Sequence, residues 1–577
     1  MDNQKIAEIF TSMADILAIL GENHHRIRAY RRAAENVAAL GQPIKPIWQA
    51  GELEEIPGIG KTLAAKIDEL MRTGRLAAYE KLKAQAPEGV VAMLQITGVG
   101  PKRAALFWQE MGLTDVGELE KAAREGRLRA LPGMGAKSEQ NILDGIALLK
   151  RRTGRTLLGA AWPLAHTVLD ALRRIPGVTQ VATAGSLRRM RETIGDLDLL
   201  VASADPQPVM VRFRELPQVT EVLLSGSTKT SCNFRLPHTQ EEFQVDLRVL
   251  EPARWGTALQ YFTGSQSHNI RLRELALNRG LSLSEYSLKR EEDGSEILCA
   301  AEKEVYAALG LPFIPPELRE DRGEIEAALE GRLPDLIEVG DLKGDFQFHT
   351  TWSDGRQSML EMARAAQASG LEYALVTDHS HSLGVVQGLT ADDLRRQRTE
   401  IEEINRKLGG EFRLLAGVEA EVLADGSLDY PDDVLSELDL VVAAVHSGLR
   451  GSRERVTARI LAAIRNPHVD IIAHPTGRLI GKREGADLDM EPIFRAAAET
   501  DTALEVNAHP KRLDLNAVYA RRAIELGVKL AISSDSHEAS GFELLSYGVA
   551  TARRGWATAA DAINTLPVAE VLKWAVR

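Results

Sequence analysis

Only two of the 577 residues are cysteine, Cys232 and Cys299, which excludes a disulfide framework and leaves no paired thiolates for a metal motif. Aromatic residues are scarce at 5%, and no apolar run approaches the ~20 residues that a membrane-crossing helix requires. No charged-then-apolar leader opens the chain. These absences point to a reducing, cytoplasmic setting without a membrane partner. The hydrophobic share of 44% is that of a globular protein, and the length calls for several domains, each with its own core. The net charge of -12 weighs against a protein that coats nucleic acid, yet the charge is uneven. Residues 1–155 carry 23 Lys+Arg against 19 Asp+Glu, so a polyanion would dock at that end. Histidine is skewed the other way, with eight of 13 after residue 340, which places metal chemistry in the C-terminal part.

The N-terminal part repeats one piece of punctuation: IPGIGK from Ile56, ITGVGP from Ile96 and LPGMGA from Leu131. Each lies between two helix-competent stretches. A Gly-x-Gly hairpin permits a tight turn and turns backbone N–H groups outward, where a phosphate can sit. One such turn is commonly just a turn. Three of them, Gly58/Gly60, Gly98/Gly100 and Gly133/Gly135, with Lys61, Lys102, Arg103 and Lys137 alongside, read as helix-hairpin-helix motifs that grip a DNA backbone without regard to sequence.

In the middle of the chain, GDLDLL runs from Gly195 to Leu200 in a stretch that reads as a buried strand. Asp196 and Asp198, two residues apart, would face one point. Buried unpaired carboxylates are costly unless they neutralise or bind a cation.

After Gly340 a different syntax repeats: an apolar strand-like run ends in a polar ligand type, and a helical stretch follows. The instances are FQFH, ALVTDH, LLAGVE, LVVAAVH, DIIAHP, ALEVNAH and LAISSDSH. Seven such units predict a β/α barrel with its site on the C-terminal rim. Collected there are His349, Asp354, His379, Glu419, His446, His474, Asp535 and His537. Imidazole and carboxylate together suit zinc, manganese or iron, and several ions side by side suit phosphoester hydrolysis. His381 and His509 lie near the same rim, and His468 reads as a turn residue after Asn466-Pro467.

These motifs carry a resemblance. RIRAYRRAAENV and LEEIPGIGKTLAAKIDELMRTGRL resemble the small N-terminal domain of family X DNA polymerases, the family of polymerase beta. In lyase-active relatives a lysine here forms a Schiff base with an abasic sugar, and the matching position is Lys66. Thr62 and Ala65 stand where those relatives carry lysine and glutamate, so the resemblance implies at most a weak lyase. AGSLRRMRETIGDLDLLV resembles the family's nucleotidyltransferase signature, and FQVDLRVL supplies Asp246 as its third carboxylate. The resemblance assigns Asp196, Asp198 and Asp246 to two Mg2+ or Mn2+ ions, with Asp246 assisting deprotonation of the primer 3'-OH. It assigns Gly185, Ser186, Arg189 and Gly195 to the triphosphate. YFTGSQSHNIRLRELALNRG resembles the start of the family's thumb, with Tyr261, Phe262, Thr263 and Gly264 against the incoming sugar and Asn269 and Arg273 reaching the nucleotide.

The C-terminal segments resemble the PHP domain, the polymerase and histidinol phosphatase family. That implies a centre of up to three Mn2+ or Zn2+ ions acting as a 3'-5' exonuclease on DNA. One departure is Gln347, where the family has the first histidine of His-x-His, and an amide is a poor ligand for a borderline metal. The expected plan is a multidomain monomer: an all-α helical, lyase-like domain (1–90), fingers with two further hairpins (91–155), an α+β nucleotidyltransferase palm (156–260), a thumb (261–321), a linker (322–340) and a seven-stranded PHP β/α barrel (341–577). Its partners would be gapped or primer-template DNA and dNTPs, in base excision or end-joining repair. The alternatives are a template-independent nucleotidyltransferase and a DNA-binding repair scaffold whose catalytic centres are vestigial.

Overall fold

The computed structural model describes residues 3–575, except 39, 41–43, 57, 97, 152–154, 237–241 and 384–386, and except the side chains of 4, 35, 88, 95, 137, 144 and 147–151. Lys137, expected beside the third hairpin, thus has a side chain outside the described atoms. The chain forms two compact units, Met1–Arg155 and Thr156–Arg577.

Among the described residues of the first unit the regular elements are all helices. In the helix Lys61–Thr73 the buried residues Leu63, Ile67 and Leu70 recur at helical spacing, and Gly74 closes it with a left-handed φ of 70°. Apolar residues form two clusters, one drawn from residues 6–86 and one from 90–146 joined by Ile19. All three hairpins share one turn. The first glycine is left-handed, with φ of 78°, 88° and 72° at Gly58, Gly98 and Gly133. The residue after it returns a backbone hydrogen bond three positions back, from Ile59 to Ile56, Val99 to Ile96 and Met134 to Leu131.

The second unit opens with a five-stranded mixed sheet in the order 178–183, 197–203, 242–250, 229–235, 219–225. The helix Leu158–Arg173 covers it with Leu164, Val168 and Leu172. The helices Trp255–Thr263 and Gln266–Leu277 and a three-stranded antiparallel sheet over 281–297 follow. The segment expected as a linker is no free connector. Glu324–Leu329 is a helix whose Ile325 and Ala328 sit in the same core as Leu272 and Tyr306. Glu324 is fully buried and holds His268 Nδ1 at 2.7 Å.

Beyond residue 340, where seven strands are expected, the described residues form eight short parallel ones in two sheets. Gly344–Phe348, Tyr373–Val376 and Arg413–Ala416 form one sheet; Glu419–Glu421, Val442–Ala444, Ile471–Ile472, Ala503–Asn507 and Leu530–Ser533 form the other. The extra strand arises because LLAGVE breaks at Gly417, where an added Cβ would meet Leu375 at 2.7 Å, so Glu419 opens a strand instead of ending one. Single bridges, Phe348–Ser536 and His379–Glu419, stand where the sheets meet in place of a closed ladder. Alternate strand residues go to different cores: Tyr373 and Leu375 share one with Leu415, Val442 and Ile471, while Ala374 and Val376 share another with Leu414 and Ile472. Among the described residues no helix is long and apolar enough to cross a membrane.

Candidate active sites and nucleic-acid interface

The first site is made by strand register. Strands 197–203 and 242–250 run parallel with Asp198 directly opposite Asp246, so two residues 48 positions apart stand one strand spacing from each other. Asp196 lies in the bend just before the strand, not within it, and the expected strand alternation therefore does not aim it. It nonetheless acts on Asp198, which burial and the charges of Asp196 and Asp246 push up to about 7. Asp246 is held by Lys229 Nζ at 3.0 Å and by Gln244 Nε2 at 2.7 Å. Arg188 and Arg191, upstream of the acids, are occupied elsewhere, by Glu302 at 2.8 Å and Glu320 at 3.1 Å. Three converging carboxylates, one held up by the others, form a donor set of hard oxygens that fits divalent cations.

Gly185 shows how tightly this site is built. Its φ is +57°, and a Cβ there would lie 2.4 Å from Asp198 Oδ2. Ser186 follows it in the short helix Gly185–Arg188, and Ala184 N–H donates to the Asp198 carbonyl at 2.8 Å. Gly185→Ala is expected to lower the kcat/KM of extension by about 100-fold, since it displaces both the turn and the acid. Steady-state kinetics in dNTP measure it, with 3' degradation as the control.

Three of the residues expected at the nucleotide have their polar groups engaged within the protein. Arg189 is buried; its Nη1 donates to the Thr263 carbonyl at 2.6 Å and its Nε to Glu320 at 3.2 Å, so its charge is matched by a carboxylate and not aimed outward. Asn269 is turned inward, accepting from Gln260 at 2.8 Å and donating to the Tyr261 carbonyl at 2.7 Å. Thr263 is fully buried, and Arg188 Nη1 donates to its hydroxyl at 2.6 Å. Tyr261 and Phe262 pack edge to face at 5.2 Å, with Arg273 over the first ring at 5.8 Å and Arg248 over the second at 4.5 Å. Gly264 has a left-handed φ of 64°, and Gly195 sits beside Asp196 in the same bend. Lys229, Glu302 and Glu320, missed by sequence reasoning, join the site through strand and helix packing that no local pattern announces.

The second site brings the eight expected residues together, four of the histidines directly on one carboxylate. Glu419 Oε1 meets His474 Nε2 at 2.9 Å and His446 Nε2 at 3.3 Å; its Oε2 meets His379 Nδ1 at 2.9 Å and His349 Nε2 at 3.7 Å. His349 Nε2 also reaches Asp535 at 3.2 Å, and His537 Nε2 reaches Asp354 at 3.4 Å. Among the described residues two sets bring their ligand atoms within 4.8 Å of one another: His349, Asp354, His379 and His537, and His379, Glu419 and His446. Although burial opposes it, His379 and His446 hold Glu419 well below the usual carboxylate range. Against burial, Glu419 and Glu421 push His446 up to about 10. Despite these short separations no aligned hydrogen bond forms at either ring nitrogen of the fully buried His349, at Nδ1 of His474 or at Oε2 of Glu419, an arrangement suited to metal ligands.

Gln347 is fully buried beside His349, and neither amide atom has a hydrogen-bond partner. Residues unforeseen from sequence complete the site. Glu421, two residues past Glu419 on the same strand, holds His446 Nδ1 at 2.8 Å and fixes its ring, a second-residue signal that GVEAEV could have offered. Asp378, fully buried, accepts from the Thr350 N–H at 2.8 Å and the Ser353 hydroxyl at 2.6 Å, anchoring the turn that carries Asp354. His474 and Asp535 adopt positive φ, 27° and 52°, the backbone strain seen at functional sites. His468 sits in a turn, its N–H on Asn466 Oδ1 at 2.9 Å.

The hairpin tips form the third feature. Gly58, Gly60, Gly98, Gly100, Gly133 and Gly135 are exposed, as are Lys61 and Lys102, while Ile59 and Val99 between them are buried. Arg103 folds back to the Gly98 carbonyl at 2.7 Å and braces the second turn. Lys66 is half-buried on the first hairpin helix, and Tyr30 packs into the core against Phe10 at 5.7 Å.

Comparison with known proteins matches these parts. The profile of the DNA polymerase beta thumb covers residues 258–320, a helix-hairpin-helix domain covers 1–76, and a SAM-like helix-hairpin-helix tandem covers 90–147. Over 571 residues the chain is 38% identical to the DNA polymerase/3'-5' exonuclease PolX of Bacillus subtilis (strain 168), spanning 99% of both. It is 28% identical to DNA polymerase lambda of Rattus norvegicus over half of this chain and 52% of that one. A probable phosphatase of Thermoanaerobacter sp. (strain X514) shares 32% identity over 205 residues, 33% of this chain and 78% of its own. By its full-length likeness, its thumb and its hairpins, the chain belongs to the family X DNA polymerases.

Proposed function

We propose that this protein is a DNA-directed DNA polymerase that fills short gaps during repair and trims DNA 3' ends at a separate PHP centre. The observation that carries the reading is the coexistence in one compact unit of the Asp198–Asp246 pair and the Glu419-centred cluster. Asp196, Asp198 and Asp246 would hold Mg2+ or Mn2+, and the C-terminal histidines and acids would hold Mn2+ or Zn2+, up to three ions. When bound, such cations supply Lewis acidity to the phosphorus-bound oxygens and lower the pKa of a primer hydroxyl or a water.

The residues do the remainder. Asp246, which pairs with Lys229, would take the proton of the primer 3'-OH, and Gly185 and Ser186 would leave room for the triphosphate. Tyr261 and Phe262 offer their ring faces to the sugar, and Asn269 sets the Tyr261 carbonyl. We read Arg189 as held in reserve on Glu320. At the second centre Glu421 orients His446 and Asp378 orients the turn of Asp354, and the eight strands act as a β/α barrel interrupted where ligands cross from sheet to sheet. The exposed hairpins hold a gapped duplex by its phosphates. A domain plan of 1–90, 91–155, 156–260, 261–321 and 341–577 organises these roles, and Lys66 adds at most a weak abasic-sugar lyase.

The test incubates the protein with Mn2+ and a labelled one-nucleotide-gapped duplex, with and without dNTPs. Asp196→Ala/Asp198→Ala is expected to lose extension alone, and His349→Ala/His379→Ala to lose 3' degradation alone. A wild-type protein that does neither returns the reading to a scaffold. Extension without a template strand favours a template-independent transferase.

A further inference from the structure

The rim of the second centre carries three arginines that the metal cluster does not use as ligands. They come from consecutive strands of the five-stranded sheet: Arg450 from the segment after Val442–Ala444 and His446, Arg483 from the segment after Ile471–Ile472 and His474, and Arg512 from the segment after Ala503–Asn507. Arg512 is the innermost, with Nε 3.6 Å from Asp535 Oδ2 and its charge felt by His474. Arg483 is half-buried, anchored by Nε and Nη2 on the Gly477 carbonyl at 3.0 and 2.6 Å. Burial and the charges of Arg512 and Arg450 hold its guanidinium below the usual arginine range. The three segments touch: Ile480 N–H donates to the Lys511 carbonyl at 2.8 Å, and a Cβ on Gly477 would meet Leu449 at 2.8 Å. Among the described residues neither Arg450 nor Arg483 has a carboxylate within ion-pair reach, and Arg450 is exposed. Two arginines without a carboxylate partner among the described residues, beside a third whose ion pair to Asp535 is long, leave positive charge that an anion in the gap would offset.

We propose that Arg450, Arg483 and Arg512 are the phosphate-binding residues of the second centre and select a nucleic-acid strand over a small ester with a single phosphate. Arg512, beside Asp535, takes the phosphodiester at the reacting end; Arg483 and Arg450, farther along the rim, take the phosphates that follow. Guanidinium suits this use because its planar donors pair two oxygens of one phosphate. Such an ester has no following phosphate and gains nothing from the outer pair. The inference rests on the reading of this centre as an exonuclease.

The experiment compares wild type, Arg450→Ala/Arg483→Ala, the corresponding double lysine variant and the exposed single variant Arg450→Glu on a labelled single strand and on bis(p-nitrophenyl) phosphate. For the double alanine variant KM for the strand is expected to rise about 100-fold, tenfold for each guanidinium–phosphate pair removed, with kcat within about threefold. The slope of log KM against log salt should flatten by about 0.7 for each arginine removed, as for one phosphate neutralised on a single strand. Hydrolysis of the small diester and metal content by mass spectrometry should stay at wild-type values, and lysine should restore part of the strand KM.

A second arm uses metal-free full-length protein and a strand with a photoreactive 3'-terminal nucleotide, mapped by peptide mass. Wild type should crosslink within residues 447–453, 475–486 or 508–513, and both Arg450→Glu and the double alanine variant should lose most of that product. An unchanged strand KM, or equal losses on both substrates, overturns the proposal, as does crosslinking that ignores the arginines. If wild type cleaves the small diester and leaves strands intact, the exonuclease reading falls, while the crosslinking arm still judges the arginines alone.

Discussion

Asp198→Asn is expected to lower primer extension by about 10^3- to 10^4-fold, the several kcal/mol that a metal-holding carboxylate contributes to a phosphoryl-transfer barrier. Asparagine keeps the shape of the side chain, so the strand Leu197–Ser203 and its pairing with 242–250 should persist and 3' degradation should remain within about twofold of wild type. The same substitution should stabilise the protein when metal is removed. In the folded state burial, Asp196 and Asp246 push Asp198 up to about 7, against an ordinary value near 3.8. A carboxyl raised in this way is protonated in the folded chain while already ionised in the unfolded one. The native state therefore loses stability as pH rises from about 4 to 7, and the full cost is present above 7.

Asparagine escapes that cost. Its advantage should be near zero at pH 4, grow through this window and level off above pH 7 at about 2 kcal/mol after discounting for solvent screening. Thermal melts in EDTA across that pH range measure it, and Mn2+ should reverse the order by stabilising wild type alone. A variant that extends primers normally, or that gains nothing at pH 8, would show that Asp198 is an ordinary strand acid.

The second large effect is expected at Glu419. Each of its oxygens serves two histidines, His474 and His446 on one side and His379 and His349 on the other, so Glu419→Gln removes the one charge common to the cluster. Metal affinity should fall by at least about 100-fold and 3' degradation with it, leaving extension unchanged. Mass spectrometry of the purified variant checks the metal directly.

Protons offer an independent readout. Without metal, His446 is pushed up to about 10 and His537 up to about 9, so both hold protons at pH 7. Metal uptake by wild type must release them, and calorimetry in buffers of different ionisation enthalpy counts the release. In Glu419→Gln the main cause of the high His446 value is gone, and less proton should be released at each metal bound. Full metal content in the variant would show that the cluster is held by its histidines alone.

How much of this was legible before folding depends on how local each feature is. The hairpins were legible because everything that defines them lies within six residues: a left-handed first glycine and an exposed second glycine, repeated at Gly58, Gly98 and Gly133, with an apolar residue between them that is buried in the first two and half-buried at Met134. Seven of the eight residues expected at the second centre were legible because apolar strand-like runs lead into them; Asp354 lies on a turn beyond the first run, and the run ALEVNAH leads to none of the eight. The strand count was misjudged at LLAGVE, since a break at Gly417 reflects the close approach of Leu375, a residue more than forty positions away.

Side-chain direction was where sequence reading reached its limit. By itself the sequence determined which residue types meet: acids at 196, 198 and 246, imidazoles and carboxylates after 340, glycines with lysines before 155. Tertiary structure alone decided how they meet. It set Asp198 opposite Asp246 by register, placed Asp196 in a bend, gave Arg189 to Glu320, turned the Asn269 amide inward and set Glu421 behind His446. The reason is physical: a residue's chemistry is written in its own side chain, whereas the partner of a buried charge is whichever opposite charge the packing of distant segments brings within reach.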